Sequence, residues 1–133
     1  MSGASGDNCL QEGMTTKVVM TVSGAIEAAT GVALILVPEA VSRLLLGVEL
    51  SSAGVALARV AGFGFLALTI ACWQRRDGAS WQAIRALFVY NLLAGLYLGY
   101  LRVGAGFAGY LLWPACVLHV SLAVLLARPA LKQ

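Results

Sequence analysis

Four long apolar runs, each closed by a charged or helix-breaking residue, dominate the chain. They cover about residues 18–37, 53–73, 81–101 and 109–127. A helix needs about 20 mostly apolar residues to cross a hydrocarbon core about 30 Å thick, and each run has about that length. The first stops at Pro38 and the second in the charged turn Gln74-Arg75-Arg76-Asp77-Gly78. The third stops at Arg102 with Gly104 and Gly106, and the fourth at Arg128-Pro129. None alternates with a period of two, so a transmembrane barrel is excluded and the runs are expected to be helices. The pattern predicts an all-α integral membrane protein, a four-transmembrane-helix up-down bundle with short loops.

Between the first two runs, Pro38 to Gly47 reads as a short amphipathic helix lying in the interface. Proline suits a first helical turn, Glu39 and Arg43 are spaced as an i,i+4 pair, and Gly47 can end the helix. Val41, Leu44, Leu45 and Val48 fall on one side. Trp113-Pro114 is expected to set a bend near the end of the fourth span. Residues 1–16 are polar and lack the layout of a signal peptide, so they read as a flexible cytoplasmic tail before a transmembrane domain at 17–133.

Composition agrees with the pattern. The 133 residues are 60% hydrophobic and 11% charged, where a soluble domain carries about 45–50% and about 25%. So few charges argue against a soluble enzyme, a disordered chain and a nucleic-acid binder together. The positive charges also suggest an orientation. With both termini in the cytoplasm, Lys17, Arg75, Arg76, Arg85, Arg128 and Lys132 lie inside and only Arg43 and Arg102 outside, as the positive-inside rule favours. Trp73 and Trp81 would then form the inner aromatic belt, and Tyr97, Tyr100, Tyr110 and Trp113 the outer one. Cys9, Cys72 and Cys116 form no CxxC pair, and no His/Cys/carboxylate cluster suggests a metal site.

Small residues recur at helix-packing spacing: Gly24 and Ala28; Gly54, Ala58 and Gly62; Gly95 and Gly99. Such faces let helices approach closely. Polar residues recur too, one near the middle of each span. Glu27, Arg59, Asn91 and His119 form a candidate buried polar layer, with Tyr90, Ser23, Thr30 and Thr69 as further hydrogen-bonding partners. Arg59 cannot shed its charge and Glu27 is the sole acidic residue within a span, so the expected centre of the layer is a Glu27–Arg59 ion pair. Two readings stand side by side. The layer is a clasp that fixes helix register, or it lines a pocket for a polar headgroup, a quinone carbonyl or a proton path.

The segment from Gly31 to Pro38, the following Leu44-Leu45-Leu46-Gly47, and Ala58-Arg59-Val60-Ala61-Gly62 leading to Cys72-Trp73 resemble the DoxX-like family of small four-helix bacterial membrane proteins. The resemblance covers most of the chain outside the tail, through short motifs rich in Gly, Leu and Ala. It matches Arg59 and Gly62 to the family's arginine and small residue after the loop; Tyr90-Asn91 and Leu112-Trp113-Pro114 suit a narrower group within it. It implies an accessory subunit or assembly partner of an inner-membrane complex, in some members linked to sulfur or quinone redox systems. The resulting expectation is a non-enzymatic accessory protein with no obligatory cofactor, holding lipid or quinone between its helices, alone as an oligomer or in a larger complex. The alternatives are a small proton-coupled transporter using Glu27, Arg59 and His119, and a membrane-embedded enzyme on a lipid-like substrate with Glu27 and His119 as acid and base.

Overall fold

Backbone groups in lipid must be satisfied within their own segment, and all four runs are helical in the computed structural model, which describes residues 3–73 and 81–131. In chain order the helices are α1 (Gly3–Leu36), α2 (Pro38–Leu45), α3 (Ser52–Trp73), α4 (Trp81–Val103) and α5 (Leu112–Leu131). Among the described residues there is no strand. Four helices are long and apolar enough to cross a membrane, over Met14–Leu36, Ser52–Ala71, Trp81–Val103 and Leu112–Leu131. The all-α four-span bundle read from the sequence is therefore the observed architecture, that of a multi-pass membrane protein. Large apolar side chains on the outer surface, among them Leu57, Leu93, Leu96 and Val124, are exposed as lipid contact requires. Tyr97, Tyr100, Tyr110 and Trp113 are likewise exposed. Arg75 and Arg76, counted above for orientation, lie outside the described residues, as does Lys132.

Element ends differ from expectation where local chemistry decides them. α1 begins at Gly3 and takes in the polar residues read as a tail. Extending an existing helix needs no new nucleus, and no proline interrupts the stretch. α5 begins at Leu112 rather than 109 because the preceding residues are held against α2. The Leu111 N–H donates to the Leu44 carbonyl at 2.8 Å, and a Cβ on Gly109 would run into the Leu45 backbone. Pro114 consequently falls in the first turn of α5, where a missing N–H costs nothing. It opens the helix there instead of bending it.

The interfacial segment forms as a helix with Pro38 at its start, and Gly47 ends it at φ +77°. The i,i+4 pair does not form. Arg43 Nη2 instead meets Glu49 Oε1 at 2.6 Å, because the left-handed turn at Gly47 folds the following chain back along α2. The Ser42 hydroxyl fixes that return by donating to the Val48 carbonyl at 2.9 Å.

The spans associate as two tight pairs, α1 with α3 and α4 with α5, which meet mainly through α1. The α1–α3 seam closes at Gly31 and Gly62. A Cβ on Gly62 would lie 2.7 Å from the Gly31 carbonyl oxygen, and one on Gly31 would lie 2.9 Å from that of Gly62. The α4–α5 seam closes at Gly95, whose added Cβ would be 2.8 Å from Val120 Cγ2. Val19, Ile84, Leu87, Leu122 and Leu126 form an apolar core where α1 meets the second pair. At that end Arg85 lies over the Trp81 ring and donates from Nε to the Ala130 carbonyl at 3.2 Å.

Candidate functional site: a polar junction between the helix pairs

The pairs meet through polar side chains near mid-span. Ser23 and Glu27 sit one turn apart on α1, Tyr90 and Asn91 on α4, and His119 on α5. Ser23, Glu27 and Asn91 are fully buried, while Tyr90 and His119 are half-buried. Asn91 is the hub. Its Nδ2 donates to the Leu87 carbonyl at 2.8 Å and toward Ser23 Oγ at 3.4 Å. Its Oδ1 is 2.9 Å from His119 Nδ1. A carbonyl acceptor at Leu87 fixes which end of the amide carries nitrogen, so Oδ1 is the atom that faces His119. His119 Nδ1 therefore carries a hydrogen, and Nε2 is left as the acceptor of the neutral ring. One amide thus links α1, α4 and α5.

Beside this hub, Tyr90 is the side-chain hydrogen-bond partner of Glu27. Its ring also meets Phe65 of α3 edge-on, with centroids 5.6 Å apart, and His119 at 5.7 Å. Glu27 is 1% exposed and its Oε1 has no hydrogen-bond partner. Buried polar atoms are almost always paired, since leaving one unpaired costs about 1–3 kcal/mol and more when the group is charged. Thr69 completes the layer from α3, its hydroxyl reaching the Gly24 carbonyl at 3.3 Å and that of Phe65 at 3.0 Å. Gly24 is buried, yet a Cβ built there would meet nothing within 4 Å. Open space therefore adjoins α1 one turn before Glu27.

Of the sequence-derived layer, Glu27, Tyr90, Asn91 and His119 come together and Arg59 does not. Arg59 is exposed, and the single ion pair among the described residues is Arg43–Glu49. The register of the first seam explains the correction. Gly31 faces Gly62 and Gly24 faces Thr69, so the residue of α3 level with Glu27 is Leu66. Arg59 is seven residues away, about 10 Å along the axis at 1.5 Å per residue. It also points elsewhere: Phe65 turns toward Tyr90, and six residues rotate a helix by about 240°. Ser23 and Thr69 join the layer as expected; no hydrogen bond brings in Thr30. Phe65 and Cys116 are not marked as site residues by the sequence pattern. Cys116 is buried against the Gly95 carbonyl, 3.4 Å from its Sγ. Its three-residue offset from His119 was the available signal.

No group of three His, Cys, Asp or Glu residues placed to hold a metal occurs among the described residues. No family model, curated protein or solved structure matches the chain.

Proposed function

We propose that this is a non-enzymatic accessory protein of a bacterial inner membrane that holds a lipid-like molecule by its polar head between the two helix pairs. The observation that carries the reading is the unpartnered Glu27 Oε1, a buried carboxylate oxygen where the two pairs meet. A hydroxyl head, as on a lipid or a quinol, would donate to that oxygen. A proton on Glu27 would let it donate to a carbonyl head instead, as on a quinone. Tyr90 and His119 are only half-buried, so the junction is not sealed from its surroundings. Phe65 and the Tyr90 ring supply apolar walls, which suits an apolar ligand with few polar groups.

Several features support an accessory role over catalysis. Asn91 already occupies His119 Nδ1, Tyr90 engages one side of the Glu27 carboxyl, and among the described residues no guanidinium stands at the layer to stabilise developing negative charge. The placement of both termini in the cytoplasm rests on the distribution of Lys and Arg. The test is native mass spectrometry of protein extracted in mild detergent, comparing wild type with Glu27→Gln. Wild type is expected to carry one bound molecule of constant mass, and Glu27→Gln to lose it at least about 10-fold, equivalent to about 1.4 kcal/mol. A bare wild-type chain, or equal retention by both proteins, would overturn the reading.

A further inference from the structure

The residue left out of the central layer presents its own problem. Arg59 stands exposed on a membrane-crossing helix, with no ion pair among the described residues. Its surroundings are apolar: Leu57, Val60 and Phe63 are 70%, 63% and 57% exposed. A permanently charged guanidinium on a lipid-facing surface is costly unless an anion meets it or the side chain reaches the headgroups. Seam register places Arg59 level with Leu34, two residues before α1 ends at Leu36. Along α3 it is seven residues from Ser52, about 10 Å at 1.5 Å per residue. Helix side chains lean toward the N-terminus, here toward the Ser52 end and its membrane surface. The guanidinium is thus directed at headgroup depth, with a bare apolar helix face beneath it.

From this arrangement we infer that Arg59 is a phospholipid site: its guanidinium binds the phosphate of a lipid in the leaflet at the Ser52 end, and the acyl chains lie on Val60 and Phe63. Bidentate pairing with phosphate oxygens is the geometry guanidinium provides and ammonium does not. A second copy of the chain is a poorer occupant. The acidic residues of the described exposed surface are Glu39 and Glu49, both outside the spans, and Glu49 already pairs with Arg43. Two copies joined symmetrically through this face would bring Arg59 against Arg59. Repulsion between like charges would oppose that contact. The site is separate from the polar junction, because Phe65, not Arg59, is the α3 residue turned to Tyr90.

Native mass spectrometry of the full chain, titrated with phosphatidylglycerol or with diacylglycerol of the same acyl chains, tests the assignment. Wild type is expected to bind the phospholipid about 10-fold more tightly than the diacylglycerol, a difference of about 1.4 kcal/mol. Arg59→Gln should reduce the preference to within about 2-fold and Arg59→Lys should keep part of it, since a point charge attracts phosphate without the bidentate fork. Arg102→Gln should leave it unchanged. The wild-type comparison needs no variant and so does not depend on one folding. Equal affinity of wild type for both lipids, an unchanged preference in Arg59→Gln, or a wild-type dimer that Arg59→Gln dissociates would overturn the assignment.

Discussion

The two places where α1 meets other helices are built on opposite principles. Against α3 it meets bare backbone where Gly31 and Gly62 leave no room for a methyl group. Against α4, at mid-membrane, it meets Asn91 and Tyr90 through Ser23 and Glu27, and Asn91 passes the contact on to His119 of α5. The first contact is closed at Gly31 and Gly62 and opens only toward Gly24, beside Thr69. The second leaves a buried carboxylate oxygen unpartnered. Stability is concentrated where the surface is smallest and most complementary. Unused hydrogen-bonding capacity, which a ligand needs, is concentrated at the other contact.

The difference can be broken most sharply at the glycine seam. Gly62→Leu should part α1 from α3, since even a Cβ there meets a carbonyl oxygen at 2.7 Å and Ile35 Cγ1 at 2.8 Å. Overpacking of this kind costs about 1–3 kcal/mol or more, and loss of the folded fraction on size exclusion in detergent would reveal it. Asn91→Leu should come next. It removes the bonds to Ser23 and His119 and leaves the latter unpaired. Interhelical hydrogen bonds in membranes average about 0.6 kcal/mol and reach about 1.7, so a loss of about 1–2 kcal/mol in reversible unfolding is expected. Gly95→Ala should cost less than Gly62→Ala, because its one contact under 3 Å is a side-chain methyl, Val120 Cγ2, whereas Gly62 also meets the Gly31 carbonyl oxygen of the facing backbone. The smallest effect is expected at Gly24→Ala. Its Cβ meets nothing within 4 Å, and replacing a helix glycine by alanine gains up to about 1 kcal/mol. A melting temperature unchanged or slightly raised in Gly24→Ala, beside a clear fall in Gly62→Ala, would establish that equal spacing conceals unequal roles.

The sequence carries the axial positions of most of this arrangement and few of its rotational ones. Run length and composition fixed four spans, since crossing lipid imposes both. Pro38 and Gly47 bracketed α2 because each is restricted or freed in φ in a way few residues share. Glu27, Asn91 and His119 stood out as costly residues near the middle of apolar runs, and they do converge. Arg59 falls outside the layer because glycine contact, not the midpoint of each apolar run, sets the level of α3 against α1. The Gly31–Gly62 and Gly24–Thr69 matches slide α3 so that Leu66, not Arg59, is level with Glu27. Charge complementarity in the sequence could not reveal that, because which small residue of a stripe meets its partner depends on the facing helix. Gly54 illustrates this: it belongs to the same stripe as Gly62, but the nearest atoms to its Cβ are the preceding Leu50 and Ser51. The Arg43–Glu49 pair was missed for a related reason, since a turn and not a helix repeat brings those two together.

Whether Glu27 serves a ligand or the fold is decided most directly by the thermal unfolding midpoint of Glu27→Leu against wild type, both stripped of lipid by repeated detergent exchange. A residue kept for binding should be dispensable to the empty protein. Replacing its unpartnered carboxyl by an apolar side chain should hold the midpoint or raise it by several degrees, where about 1 kcal/mol corresponds to about 4–8 °C in a small domain. A fall of several degrees would show that the Glu27–Tyr90 contact is a clasp holding the two helix pairs together, and would contradict the binding role.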